Sequence, residues 1–138
     1  MSEKFSVEII SPDKSIIKTN AIEVIIPSYE GEMGILKDHI PLITFLRPGF
    51  VRIKSEIHKE FFVEDGTVEF ADNNLLILTS TAKDLSEMKK SSIDSIINEA
   101  EKKISGENIT DKEKYLLSYK IDTLKKINWS TFLYTLII

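Results

Sequence analysis

Two histidines, His39 and His58, are the side chains best suited to proton transfer or metal ligation in this 138-residue chain. Glu30, Glu32, Glu56 and Glu60 are the carboxylates that could join them, since imidazole and carboxylate together hold zinc or share a proton. Their spacing matches no ligand set, and a lone histidine beside a turn is ordinarily a structural hydrogen-bonding group. Glu30 and Glu32 flank Gly31, and strand periodicity places both on one side, exposed. Paired acids do acid–base work only where burial separates their pKa values, so the expectation here is a solvated acidic surface. The five glycines form no phosphate-cradling or dinucleotide-binding pattern. No cysteine is present, which removes thiol nucleophiles, disulfides and cysteine-ligated metals. No serine has both a histidine partner and an oxyanion-type loop. The chain is therefore expected to have no catalytic residue, no metal site and no cofactor. A formal net charge of −4 offers no basic stripe to displace counterions from phosphates, so nucleic acid is not an expected partner.

Without reactive groups, the elements of the chain must explain what it does. With 42% hydrophobic and 29% charged residues, the composition describes a folded chain with a core. From residue 5 to about residue 79 the apolar period is two, as a strand buried on one face requires. Phe5, Val7 and Ile9 alternate with polar residues, as do Ile22, Val24 and Ile26, Val51 and Ile53, and Val68 and Phe70. Residues 75–78 are continuously apolar, which predicts a strand covered on both sides or lying at the centre of a sandwich. Pro12-Asp13, Asp65-Gly66 and Asp72-Asn73-Asn74 supply the turns between strands. Many short strands at close spacing predict a sandwich or barrel.

After Asp84 the period becomes helical, with Leu85, Met88, Ile93, Ile96, Ile97, Ala100 and Ile104 on one face. Asp84 is the expected cap of this helix and Gly106 its expected left-handed terminator. Thr110-Asp111-Lys112-Glu113 is a capping box that opens a second helix, striped by Leu117, Ile121, Leu124 and Ile127. The short connection predicts an antiparallel helical hairpin. Charge follows the same division: residues 1–83 hold 9 basic and 13 acidic side chains, and residues 84–138 hold 9 of each. The first residues lack the layout of a signal or transit peptide. No apolar run approaches the roughly 20 residues that span a bilayer.

One segment is unusual enough to carry a resemblance. Pro27 is followed by Glu30-Gly31-Glu32-Met33-Gly34-Ile35, then by His39-Ile40-Pro41-Leu42, then by Pro48-Gly49 before the next strand. In this order and spacing the segment resembles the epsilon subunits of F-type ATP synthases, equivalent to the mitochondrial delta subunit. The resemblance implies a mainly β chain with an added α part: an N-terminal flattened β-sandwich over 1–83 and a C-terminal antiparallel two-helix hairpin over 84–138. It implies a non-catalytic central-stalk subunit that couples rotation of the c-ring to the gamma subunit during proton-driven ATP synthesis. By position, Tyr29, Glu30, Gly31, Glu32 and Met33 would meet the c-ring, with Glu32 the favoured polar contact, and Ser11, His39 and Thr44 would face gamma. The hairpin would be regulatory, with Lys89, Lys90, Lys102, Lys103, Lys120, Lys125 and Lys126 able to pair with acids of the alpha and beta subunits when it extends. Membrane association would be indirect, at the cytoplasmic face of a bacterial membrane. The competing class is a free-standing β-sandwich that binds a small ligand or acts as an enzyme.

The chain departs from the family pattern twice. Members that bind ATP carry an Asp, an Arg and an Ala at the start of the first helix, where this chain reads Leu85-Ser86-Glu87-Met88-Lys89-Lys90. Lysine does not replace a bidentate guanidinium fork. Trp129, Phe132, Leu133 and Leu136 also form an apolar tail, expected as an extension of the second helix. Calorimetric titration of the purified chain with ATP is accordingly expected to show no saturable binding in the micromolar range.

Overall fold

The computed structural model describes residues 3–127. The chain divides into two compact units, one running to Asp84 and one beginning at Leu85. In the first, β1 (Phe5–Ile10) and β2 (Ser15–Ala21) form an antiparallel hairpin across the Pro12-Asp13 turn. β3 (Glu23–Ser28) and β4 (Gly31–Leu36) form another. β5 (Leu42–Leu46), β6 (Gly49–Lys54), β7 (Lys59–Val63), β8 (Gly66–Ala71), β9 (Asn74–Leu78) and the two-residue β10 (Lys83–Asp84) follow. Hydrogen bonding runs β10-β7-β6-β3-β5-β8-β9-β1-β2, with β4 also on β3. β1 and β9 are parallel and the other pairs antiparallel. Because β4 occupies one edge of β3 along its whole length, the other edge is shared: β6 takes residues 23–25, and β5 takes Ser28 opposite Leu46.

This single sheet curls into a β-sandwich-like unit, one of the two forms, sandwich or barrel, that the alternating pattern predicts. Val7, Ile9, Val24, Ile26, Ile35, Val51, Ile53, Val68, Phe70 and Ile77, drawn from both halves of the sheet, meet in one buried cluster. Each fully buried side chain of this kind contributes roughly 1.5–3 kcal/mol, whereas an exposed ion pair contributes about 0–1 kcal/mol. The inward phase of each strand therefore decides the fold.

Two apolar assignments change. Ile22 lies between β2 and β3 and is 46% exposed, so it does not share the buried face of Val24 and Ile26. Residues 75–78 are not covered on both sides: Leu75 and Ile77 point inward, while Leu78 is 45% exposed. The sandwich covers only one face of β9, and the apolar character of its other face is left without a partner in this unit.

The second unit begins with a 3-10 turn (Leu85–Glu87), followed by α1 (Lys90–Ile104) and α2 (Asp111–Lys125), which pack on each other. Asp84 does not cap a helix. It lies in β10 opposite Phe61, and its carboxylate accepts from Lys59 Nζ at 3.1 Å. The N-cap of α1 is Lys89, which makes no side-chain cap. Gly106 is not the left-handed terminator either. Ser105 closes α1 in the right-handed region, its hydroxyl donating to the Glu101 and Lys102 carbonyls, and the left-handed residue is Asn108 at φ 63°. Thr110 does cap α2: its oxygen accepts from Glu113 N–H at 3.1 Å. The Glu113 carboxylate, expected on a backbone N–H, instead accepts from the Thr110 hydroxyl at 3.1 Å. Trp129, Phe132, Leu133 and Leu136 lie outside the described residues.

Two glycines separate conformational from spatial need. Gly66 has φ 147°, and a Cβ there would lie 2.6 Å from the Leu78 carbonyl oxygen. Gly34 has no positive φ, and its Cβ would meet only the flexible Glu23 carboxylate at 3.3 Å. Gly66→Ala is expected to cost about 2 kcal/mol or more, and Gly34→Ala under about 1 kcal/mol, as denaturant unfolding of the two variants would measure.

Candidate subunit interface

The segment from Tyr29 to Met33 is a two-residue turn followed by the start of a strand. Ser28 and Gly31 close the β3–β4 hairpin, and Tyr29 and Glu30 form its tip. Gly31 at φ 130° supplies the backbone angle that an L side chain resists. The tip is braced from three directions. The buried Ser28 hydroxyl donates to the Gly31 carbonyl at 2.6 Å, Tyr29 N–H donates to Phe45 O at 3.1 Å, and Arg47 N–H donates to Pro27 O at 2.9 Å. Gly49 lets the chain pass Pro27, whose Cβ would lie 2.5 Å from any Cβ at that position. Tyr29, Glu30 and Glu32 are exposed. Glu32 sits on the outward face of β4, where its carboxylate accepts from Arg52 Nη1 at 3.5 Å. Met33 points the other way and packs against the core, so it is not presented with them.

Ser11, His39 and Thr44 occupy three different elements. Ser11 lies in the β1–β2 turn, its hydroxyl donating to the Lys14 carbonyl and accepting from the Lys14 N–H. His39 lies in the turn between β4 and β5. Its Nδ1–H donates to Ile40 O at 2.7 Å, and its ring stands edge-on to Phe70 at 6.0 Å. This turn is clamped to the β8–β9 turn. Asp38 N–H donates to Asn73 Oδ1 at 2.7 Å, and Asn73 Nδ2 returns a hydrogen bond to Asp38 Oδ1 at 2.9 Å. Thr44 is half-buried in β5 opposite buried Val68, on the same face as Leu42 and Leu46.

The outward residues of β5 are therefore Ile43 and Phe45, which sequence reasoning missed. They are 76% and 57% exposed, and Ile40 just before the strand is 74% exposed. Across the sheet, Ile43 is in a row with Glu69, Leu76 and Glu8, and Phe45 in a row with Thr67, Leu78 and Ile10. A monomeric surface seldom carries so many large apolar side chains on one sheet face unless a partner covers it. The available signal was that residues 75–78 are apolar in both phases and residues 42–46 are apolar except at Thr44.

The remaining candidates carry no reactive arrangement. His58 Nε2 lies 3.2 Å from Glu60 Oε1. Among the described residues no group of three or more His, Asp or Glu side chains is placed to hold a metal ion. No helix among them is long and apolar enough to cross a membrane. Of the hairpin lysines, Lys90 pairs with Asp94 at 3.5 Å and Lys125 with Glu101 at 3.6 Å. Lys102 and Lys103 lie in the last turn of α1, where cations favour the helix dipole. Lys89 and Lys126 are exposed at helix ends, and Lys120 is half-buried.

The sequence profile of the family described as "ATP synthase, Delta/Epsilon chain, beta-sandwich domain" matches residues 4–84, the whole strand-bearing unit. The chain belongs to this ATP synthase delta/epsilon family. Its similarity to the ATP synthase epsilon chain of Pelagibacter ubique is 46% identity over 130 residues, covering 93% of this chain and 100% of that one. With the epsilon chain of Parvibaculum lavamentivorans it shares 30% identity over 129 residues, 92% of this chain and 97% of the other. The delta/epsilon fold is also seen in a chain of the Euglena gracilis mitochondrial ATP synthase structure, "OSCP/F1/c-ring in rotational state 1" (TM-score 0.75, 20% identity, covering 91% of this chain and 81% of that one). The family resemblance carried by residues 27–49 and the profile match agree.

Within the delta/epsilon sandwich, the clamp between Asp38 and Asn73 holds the turn that displays His39 and Ile40. Asn73→Gly removes the amide while keeping the φ of 59° accessible. It is expected to cost about 1–2 kcal/mol and to speed hydrogen exchange at the Asp38 amide, measurable by NMR.

Proposed function

We propose that this chain is a non-catalytic central-stalk subunit of an ATP synthase, which joins the ion-driven c-ring to the gamma shaft and so passes rotation between them. The observation that carries the proposal is the set of exposed apolar side chains on the outward face of β5 and β9, Ile43, Phe45 and Leu78, which shares its rows with Thr67 and Glu69 of β8 and Glu8 of β1. Of the positions assigned to gamma, Ser11 and His39 lie in turns at opposite ends of these strands, and Thr44 lies on β5 with its side chain on the inward phase. Tyr29, Glu30 and Glu32 at the braced tip are the contacts assigned to the c-ring. A coupling element transmits load best when its contacts hold their shape, and the tip's hydrogen bonds and the packing of Gly49 on Pro27 favour that role.

Support from relatives is of two kinds. The similar chains are named as epsilon chains of ATP synthase, and one chain of like fold belongs to a structure titled as the central stalk and c-ring of Tetrahymena thermophila mitochondrial ATP synthase (TM-score 0.58, 17% identity, 88% of this chain and 93% of that one). As part of such a complex the chain would be peripheral, at the cytoplasmic face of a bacterial membrane. The hairpin belongs to the same proposal. If it extends along gamma, Lys90 and Lys125 would exchange Asp94 and Glu101 for acids of the alpha and beta subunits. Surface ion pairs are worth about 0–1 kcal/mol, so such an exchange is nearly neutral and suits a switch between two packings.

Phe45→Asp tests the docking face, with Leu36→Asp as its control, since Leu36 is 54% exposed on β4. Binding to an ATP synthase stripped of this subunit is expected to weaken at least about ten-fold for Phe45→Asp and to change little for Leu36→Asp. Equal affinity of the two variants would refute the assignment of this face to gamma.

A further inference from the structure

Only two of the eighteen basic residues are arginine, and Arg52 is the one that lies within a strand. Its surroundings use what lysine lacks. Arg52 stands on β6 opposite Ile25 of β3 on one side and opposite Glu60 of β7 on the other. Its Nη1 donates across β3 to Glu32 Oε2 at 3.5 Å, and its Nε lies 3.8 Å from Glu60 Oε2. The guanidinium also lies over the Phe50 ring, 5.8 Å from its centroid. The second oxygen of Glu60 lies 3.2 Å from His58 Nε2. One planar fork thus links carboxylates on β4 and β7 across four adjacent strands while an aromatic ring supports it. A lysine ammonium is a point charge on a flexible stem and cannot bridge two acids while stacking on a ring.

We propose that Arg52 is a positioning residue for Glu32, holding its carboxylate in one rotamer for the c-ring and tying the β3–β4 hairpin to β6 and β7 so that force on Glu32 reaches the body of the sheet. This rests on the assignment of Glu32 to the c-ring. Without Arg52, an exposed glutamate would turn freely about its side-chain bonds, and each ring contact would first have to order it. The Glu23–Lys54 pair at 3.1 Å, which joins β3 and β6 further from the tip, cannot substitute, because neither member lies beside Glu32.

The test is a double-mutant cycle in the assembled ATP synthase, with Glu32→Gln, Arg52→Gln and both together. The readout is the ratio of ATP-driven proton pumping to ATP hydrolysis. Each single variant is expected to lower the ratio roughly two- to five-fold, the range open to an exposed ion pair, and the double variant to fall no further than the worse single. Retention on the complex and melting temperature, which a purely structural arginine would move, are expected to stay near wild type. Arg52→Lys keeps the charge and tests the fork should Arg52→Gln fail to assemble; its ratio is expected to remain below wild type. Full additivity in the cycle, a silent Arg52→Gln beside an effective Glu32→Gln, or a wild-type ratio in Arg52→Lys overturns the positioning role alone. A silent Glu32→Gln overturns the c-ring assignment of Glu32, and the positioning role with it.

Discussion

The hydroxyl of Ser28, 1% exposed, donates to the Gly31 carbonyl at the corner where β3 leaves β6 and meets β5. Several constraints act at this corner. The two halves of the sheet are joined there through Ser28 and Leu46, the two-residue tip projects from it, and Gly49 passes Pro27 with no room for a side chain. A buried hydroxyl left without a partner would cost about 1–3 kcal/mol, so the corner's geometry and its hydrogen bonds hold only together. Part of the family motif, Pro27, Glu30-Gly31 and Pro48-Gly49, lies at this corner, while His39-Ile40-Pro41-Leu42 lies at the other end of β4 and β5.

The sandwich has two kinds of apolar surface. The inward phase forms one cluster that closes the fold, and the outward phase of β5 and β9 exposes Ile43, Phe45 and Leu78. Leaving such groups in water is unfavourable by the same physics that builds the core. A subunit of a permanent assembly can tolerate it, because association removes that surface from water. Glu69 and Glu8 share the row of Ile43, and the linked charges Glu32, Arg52 and Glu60 lie on β4, β6 and β7. Apolar area favours a stable grip, whereas a pre-ordered ion pair favours direction and register with little adhesion. The division suits a part that stays on one partner and presses on another.

Much of the fold was legible in the sequence because it rests on local or periodic signals. Period-two patterning identified the strands whose inward residues are Phe5, Val7 and Ile9, Val51 and Ile53, and Val68 and Phe70. The Thr110 cap was readable because its partner is three residues away. The left-handed turn at Asp72 and Asn73 follows from what those side chains tolerate. Where a distant partner intervened, local reading failed. Asp84 left the helix for a strand because Lys59, twenty-five residues earlier, takes its carboxylate.

The candidate site divides in the same way. Tyr29, Glu30, Gly31 and Glu32 were assigned by the resemblance to the family, and they lie at and beside the tip of the β3–β4 hairpin. Met33 and Thr44, assigned with them by position, turn toward the inward face, while Ile43 and Phe45 face outward, which local sequence does not say. Only the pairing of β5 with β8, which sets Thr44 against Val68, decides it. Sequence by itself therefore determined the family, the strand and helix character and the motif, all of which rest on contacts between near neighbours or on periodicity. Tertiary structure alone decided which face is left for a partner and that Arg52 reaches Glu32, because both depend on strand pairings between residues far apart in the chain.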